Sequence, residues 1–134
     1  MKIFIDSSVL LSASASERSL SRLIVAIAPK KKWDLLSSSY CHAEVARNVI
    51  KFPVAASHHW KTIQEKIIFL PNAYSDRRPH LLSKSKDKPV LFSALAARSN
   101  VLLTLDQKDF ALLLNTTVYG TLVMTPKDFL IKVG

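Results

Sequence analysis

Two aspartates come directly after apolar stretches that are long enough to be strands. Asp6 follows residues 1–5, MKIFI, and Asp106 follows residues 101–105, VLLTL. Because the carboxyl ends of parallel strands meet at one edge of a sheet, we expect these two carboxylates to emerge close together. Converging carboxylates repel one another unless a cation neutralises them. Hard divalent ions such as Mg²⁺ and Mn²⁺ take oxygen ligands of this type, so the pattern indicates a metal site.

The charge balance suggests what such a site would act on. The chain of 134 residues has 19 Lys and Arg against 10 Asp and Glu, a net charge of +9. An excess of positive charge favours polyanionic partners, with nucleic acid first among them. An acidic cluster bordered by basic residues fits metal-assisted hydrolysis of a phosphodiester, in which the metal activates water and the cations hold the phosphates.

Each acid also has a simpler structural explanation. Asp6 and Asp87 can cap helices that begin just after them, because aspartate is a favoured N-cap residue. Asp106 and Asp109 have the three-residue spacing of a capping box. Glu44 can be a solvated residue on the polar face of a helix. Only their expected convergence at one sheet edge favours the metal site over these roles.

The elements that must position these acids alternate along the chain. Apolar spacing predicts helices over residues 19–28, 40–50, 54–66, 88–98 and 107–114, with a last helical turn or two over 126–131. Pro29 is expected to end the first of these, and another helix is expected to begin at Ser7 or Ser8. Short strand-like stretches cover residues 1–5, 33–36, 67–70, 101–105 and 121–125. Strands alternating with helices predict a parallel sheet covered on both faces, in one domain over residues 1–134.

A basic run lies beside Asp87. Residues 77–88, RRPHLLSKSKDK, hold five cations, and we interpret them as a phosphate-binding rim that leads into the site; the alternative is a solvated loop. The five are Arg77, Arg78, Lys84, Lys86 and Lys88. A second basic group, Lys30 to Lys32, is interpreted as cations at a helix C-terminus, where they suit the helix dipole.

The remaining composition excludes several classes of protein. The single cysteine, Cys41, excludes a disulfide scaffold and a cysteine-rich zinc module, and we expect it to be a small core residue. No apolar run approaches the roughly 20 residues of a membrane span. Asp6 interrupts the N-terminal apolar stretch, which argues against a signal peptide. We therefore expect a cytoplasmic protein with no membrane partner.

Four segments together resemble the PIN-domain family of metal-dependent nucleases, which includes toxin ribonucleases of bacterial toxin–antitoxin pairs. The opening FIDSSVLLSA resembles the family's first strand and acid, and SSSYCHAEVARNV resembles the helix that carries the second acid. The most specific match is KDKPVLFSALAARSNVLLTLDQKDF, which is similar to the family's acid–x–Pro helix, following strand and acid-rich turn. The final TLVMTPKDFL resembles the closing strand and its Pro-started helix.

The resemblance implies a three-layer α/β/α sandwich with a central, mainly parallel sheet. It also implies a Mg²⁺- or Mn²⁺-dependent endoribonuclease that cleaves RNA, forms a homodimer and pairs with an antitoxin protein. It assigns catalysis to Asp6, Glu44, Asp87 and Asp106, and metal binding to Asp6, Asp87, Asp106 and Asp109. The hydroxyl residues Ser8 and Thr104 match positions near the metal and join the basic run as substrate-binding residues.

The last acidic turn departs from the family pattern. Many members have a glycine before the first aspartate and one residue between the two acids, whereas this chain reads Leu105-Asp106-Gln107-Lys108-Asp109. Which of Asp106 and Asp109 contacts the metal is therefore left open. Two alternatives to a nuclease follow: an inactive relative that still binds nucleic acid, or an inactive relative that binds a protein partner.

Overall fold

The strands of this chain form one mostly parallel sheet. The structure is a computed structural model that describes residues 1–72 and 88–134, apart from the Lys88 side chain. Within these residues the sheet has six strands in the order β3-β2-β1-β4-β6-β5. The strands are β1 (Lys2–Ile5), β2 (Asp34–Ser38), β3 (Ile68–Leu70), β4 (Val101–Leu103), β5 (Thr117–Val118) and β6 (Thr121–Met124). All neighbouring pairs are parallel except β5 with β6.

Helices cover both faces of the sheet, as the alternating pattern predicts. They are α1 (Ser7–Ala15), α2 (Leu20–Lys31), α3 (Ser39–Val49), α4 (Val54–Gln64), α5 (Lys88–Ala96) and α6 (Pro126–Val133). Side chains alternate along each strand, so Ile3 and Ile5 pack into one core with α1, α2, α4 and α6. Phe4 points the other way, into a second core with α5 and Phe110. The three-layer α/β/α architecture is therefore confirmed.

Helix α3 follows the carboxyl end of β2 and contributes to both cores. Its Cys41 belongs to the core on the α5 side, whereas Val45 and Val49 belong to the other. Ser38 caps it by accepting a hydrogen bond from the Cys41 amide at 3.2 Å, and serine is a favoured N-cap residue. Cys41 is fully buried, which confirms its prediction as a core residue.

Pro29 does not end its helix, contrary to the prediction. Helix α2 continues to Lys31, and Lys32 caps it in the left-handed conformation with φ 60°. Pro29 is exposed and only two residues from the last helical residue, so the hydrogen bond that it cannot donate is lost where the helix is already ending. Lys30 and Lys31 lie in the last turn, as predicted from their charge.

The predicted helix over residues 107–114 is also wrong. The segment makes separate helical turns, with the Phe110 amide bonded to the Asp106 carbonyl and the Leu114 amide to the Phe110 carbonyl. Phe110 anchors it in the core, but Leu112 is 88% exposed, so the segment lacks a continuous apolar face. The segment leads into β5, a strand that the sequence pattern did not predict. Tyr119 and Gly120, both with positive φ, form the turn between β5 and β6.

No helix in the described part of the chain is long and apolar enough to cross a membrane.

Candidate metal-binding site at the carboxyl edge of the sheet

Asp6 lies at the point where β1 ends and α1 begins. Its backbone amide donates to the Leu103 carbonyl of β4 at 3.0 Å, which continues the sheet pairing by one residue. Its side chain caps α1, with Oδ1 accepting from the Ser7 amide at 2.8 Å. The capping role considered from the sequence is therefore present. It uses one carboxylate oxygen and leaves Oδ2 facing other partners.

Two hydroxyl groups donate to Oδ2 of Asp6. Ser8 Oγ lies 2.9 Å from it and Thr104 Oγ1 lies 2.8 Å from it. Each hydroxyl also accepts a hydrogen bond from a backbone amide of the turn after β4. The Leu105 amide donates to Ser8 Oγ and the Asp106 amide donates to Thr104 Oγ1, both at 3.0 Å. The hydroxyls therefore connect the Asp6 carboxylate to the turn that carries the next acid.

Burial sets the electrostatics of Asp6. The residue is 6% exposed, and loss of solvation raises the pKa of its carboxyl group above the ordinary value of 3.8. The hydrogen bonds from Thr104, Ser8 and Ser7 act in the opposite direction because they stabilise the carboxylate. The nearby negative charge of Glu44 adds a smaller upward shift of the pKa. A cation placed here would relieve both the desolvation and the repulsion.

Helix α3 brings Glu44 to the same place. Ser7 Oγ donates to Glu44 Oε1 at 2.8 Å, and the same hydroxyl lies 3.4 Å from Asp6 Oδ1. Glu44 is half-buried, so it is not the fully solvated residue of the simpler interpretation. The structure thus joins the first and second predicted acids through one serine, which the sequence analysis did not assign to the site.

Two further α3 residues were missed as part of the site. Tyr40 and Asn48 line the cavity in front of Asp6 together with Glu44. Asn48 Nδ2 also donates to the Glu44 carbonyl at 2.7 Å. The three residues are spaced four apart, and residues four apart share one face of a helix. That spacing is the signal by which they could have been found.

Asp106 reaches the cavity from the turn after β4. It is half-buried, and its Oδ1 accepts the Asp109 amide at 2.9 Å, which is the local capping bond expected from the spacing. Asp109 is also half-buried, but the described residues that line the cavity include Asp106 and not Asp109. The geometry therefore favours Asp106 as the acid of this turn that faces the site.

These groups surround a cavity of about 220 Å³. Its walls combine three carboxylates with hydroxyl and amide groups and a few apolar side chains, namely Asp6, Ser7, Ser8, Leu11, Tyr40, Glu44, Val45, Asn48, Val90 and Asp106. Oxygen donors of this kind suit a hard divalent cation that keeps several waters and uses one or two carboxylates. Within residues 1–72 and 88–134, however, no three His, Cys, Asp or Glu side chains stand close enough to enclose a metal ion.

Several predicted site residues lie outside the described residues. These are Asp87, the third predicted acid, and the basic residues Arg77, Arg78, Lys84 and Lys86. Lys88 is the first residue of α5, and its side chain also lies outside the part of the chain that the structure describes. The structure thus brings together Asp6, Glu44, Asp106, Ser8 and Thr104, and the assignment of the others stays a prediction.

Comparison with known proteins gives a structural likeness and no sequence match. No protein-family model and no curated protein matches this sequence. Solved structures with the same fold include a chain of VapBC2 from Rickettsia felis bound to a DNA fragment from their promoter, with a TM-score of 0.65, 13% identity, and 92% of this chain and 97% of that chain covered. They also include VapBC-1 from nontypeable Haemophilus influenzae, with a TM-score of 0.59, 14% identity and coverages of 95% and 99%. At these identities the likeness shows the fold, and the PIN-like fold expected from the sequence is confirmed.

Proposed function

We propose that this protein is a Mg²⁺- or Mn²⁺-dependent endoribonuclease, the toxin of a toxin–antitoxin pair. The observation that carries the proposal is the buried Asp6 carboxylate, which faces a cavity shared with Glu44 and Asp106 at the carboxyl edge of a PIN-like sheet. Binding of a cation would neutralise a buried carboxylate among other acids and so is favoured there. The excess of positive charge on the chain supports a phosphate-bearing substrate.

The residues divide into two roles in this proposal. Asp6 and Asp106 hold the metal directly or through water, and Asp87 completes the set from outside the described residues. Glu44 or Asp109 orients the attacking water; Glu44 is favoured because it lines the cavity. When bound, the cation would supply Lewis-acid stabilisation of the phosphate and of the leaving oxygen. Ser8 and Thr104 hold the Asp6 carboxylate in place through hydrogen bonds to Oδ2.

Hydrolysis needs no covalent nucleophile from the protein. A water oxygen forms a bond to phosphorus, one P–O bond of the RNA backbone breaks, and the departing oxygen takes up a proton. The basic residues of the run 77–88 are proposed to hold the substrate phosphates, because phosphate contacts position a nucleic acid without reading its sequence. The target sequence is set by contacts other than these.

Cleavage of a labelled single-stranded RNA tests the proposal. We expect cleavage in Mg²⁺ or Mn²⁺, none in EDTA, and loss of cleavage in Asp6→Asn. Asp128→Asn is the matched control, since Asp128 lies in the first turn of α6 and is not among the residues lining the cavity. A rise in melting temperature with Mn²⁺ that is absent in Asp6→Asn would support the metal site independently. Undiminished cleavage by folded Asp6→Asn would refute the assignment.

The structural likeness supports the proposed antitoxin partner. Both similar structures are VapBC complexes, so a small protein encoded beside this chain is the partner to test. We expect the two proteins to co-purify and the partner to suppress cleavage. Homodimerisation is a separate expectation, measured by light scattering of the chain alone.

A second candidate follows from the last acidic turn, where two residues instead of one separate Asp106 from Asp109. This departure from the family pattern fits an inactive relative that binds nucleic acid or a protein partner without cleavage. Retained RNA binding with no cleavage and no Mn²⁺ effect on melting would favour the nucleic-acid-binding form. Partner binding without either property would favour the protein-binding form.

A further inference from the structure

A group of cations lies at the sheet edge where the strands begin. This is the edge opposite the cavity lined by Asp6, Glu44 and Asp106. Lys2 opens β1, Lys66 precedes β3, and Arg98 precedes β4. Lys30, Lys31 and Lys32 end α2 just before β2. Since the cavity lies where β1 and β4 end, this group is separated from it by the length of the strands. We call these six residues the amino-edge cations.

The sheet register sets these cations side by side. Lys2 pairs with Asp34, and continuing the β2–β3 register from Leu36 and Ile68 places Lys66 opposite Asp34 on the other side. Asn100, two residues after Arg98, donates its amide to the Lys2 carbonyl at 2.8 Å and so continues the row into β4. With about 4.8 Å between neighbouring strands, the row spans about 15 Å.

The amino-edge cations are exposed and outnumber the acids beside them. All six have exposed side chains. Two acids, Asp34 and Glu65, lie among them in sequence, but within residues 1–72 and 88–134 none of the six forms an ion pair. Lys30 to Lys32, Lys66 and Arg98 lie in or just after the last turns of α2, α4 and α5, where the helix dipole favours a cation. Because all six side chains stay exposed, they remain available to a ligand.

We infer that the amino-edge cations form a second nucleic-acid-binding surface. It binds the phosphate backbone at a place remote from the cavity in front of Asp6. Phosphate contacts need only exposed cations at the surface. A protein interface instead centres on buried aromatic or apolar anchors. Trp33 is the aromatic residue nearest this group in sequence. It packs edge-on against Phe129, with the ring centroids 5.0 Å apart, and so contacts the protein's own core. Binding here requires neither a metal nor the acids that line the cavity, so it is independent of nuclease activity.

Salt dependence of binding provides the first test. A fluorescent 2′-O-methyl RNA, which resists cleavage, and a duplex DNA are titrated in EDTA with the wild type, with Lys30→Gln/Lys31→Gln/Lys66→Gln, and with the charge-retaining Lys30→Arg/Lys31→Arg/Lys66→Arg. Losing three phosphate contacts should lower the slope of log affinity against log salt by about 2 on the single strand and about 2.7 on the duplex. The arginine variant should keep the wild-type slope.

A second measurement locates the contact. Brief acetylation of lysines, read by mass spectrometry with and without the oligonucleotide, should show Lys30, Lys31 and Lys66 protected by binding. An unchanged salt slope in the folded glutamine variant would overturn the inference. Protection confined to Lys108 and Lys127, which follow the carboxyl ends of β4 and β6, would also overturn it. Binding of poly-glutamate in place of both oligonucleotides would identify an acidic protein as the partner and refute a nucleic-acid surface.

Discussion

Thr104 Oγ1 donates a hydrogen bond to Asp6 Oδ2 at 2.8 Å, across 98 residues of sequence. The bond joins the ends of β1 and β4, which are neighbours in the sheet. The same oxygen accepts the Asp106 amide at 3.0 Å, so one buried hydroxyl fixes both the first acid and the turn that carries the next. The position of the acids at this edge is therefore held by a polar contact inside the fold.

Replacing Thr104 by valine should weaken both connections without changing the shape of the side chain. Loss of a hydrogen bond to a charged group, together with an unsatisfied Asp106 amide, is expected to cost about 1.5–3 kcal/mol of the free energy of unfolding. Thr104→Ser is the control, since it keeps the hydroxyl and removes one methyl group. Urea unfolding measures the difference. Equal stability of Thr104→Val and wild type would show that the hydroxyl is not part of a stabilising network.

Asp6 should make stability fall as the pH rises in metal-free buffer. Burial raises the pKa of its carboxyl group above 3.8, so over the interval between 3.8 and the folded-state pKa the folded chain holds a proton that the unfolded chain has released. Its contribution to the free energy of unfolding is complete below pH 3.8 and is lost as the pH rises through the folded-state pKa.

Asp6→Asn removes this titration. We therefore expect the variant to gain stability relative to the wild type between pH 4 and neutrality, measured by urea unfolding in EDTA. The comparison reports on the Asp6 carboxyl group because the two proteins differ at this one side chain. If the two stability curves ran parallel over this range, the pKa of Asp6 would have to be close to its ordinary value.

The architecture could be predicted from the sequence because the alternation of strand and helix patterns runs along most of the chain. The alternating strand and helix patterns and the apolar strand beginning at Val101 both indicate a parallel sheet. Two errors had local causes that a pattern does not contain. Pro29 is tolerated because it lies near an exposed helix end. Residues 107–114 have helical spacing but leave Leu112 exposed, so the spacing of apolar residues alone led to the wrong prediction of a helix.

The site was only partly predictable for a different reason. Asp6 and Asp106 follow strands, so topology alone places them at one edge, and Thr104 follows from the same strand. Ser7 was missed because its role depends on the distance between α1 and α3, which no local pattern encodes. The order of Asp106 and Asp109 around the cavity likewise depends on the path of an irregular turn.

Cys41 should resist alkylation while the protein is folded. Burial, with a smaller contribution from the Asp6 charge, raises the pKa of its thiol from 9.0 to about 11. At pH 8 this leaves about one-hundredth of the usual thiolate, which is the reactive form. Iodoacetamide at pH 8 should therefore modify Cys41 at least about 100-fold more slowly than in guanidinium-unfolded chain, followed by intact mass. Rapid modification of the native protein would contradict the buried position.

Phe129 should be the main anchor of α6 on the sheet. Its side chain is 1% exposed and packs against Trp33 with ring centroids 5.0 Å apart at an angle of 67°. Phe129→Ala leaves a cavity and removes the aromatic contact, so the free energy of unfolding should fall by about 3–5 kcal/mol. Ile131, two residues further along the same helix, is 70% exposed, and Ile131→Ala should change that free energy by less than about 0.5 kcal/mol. Equal losses in the two variants, measured by urea unfolding, would mean that α6 is not held by the face that carries Phe129.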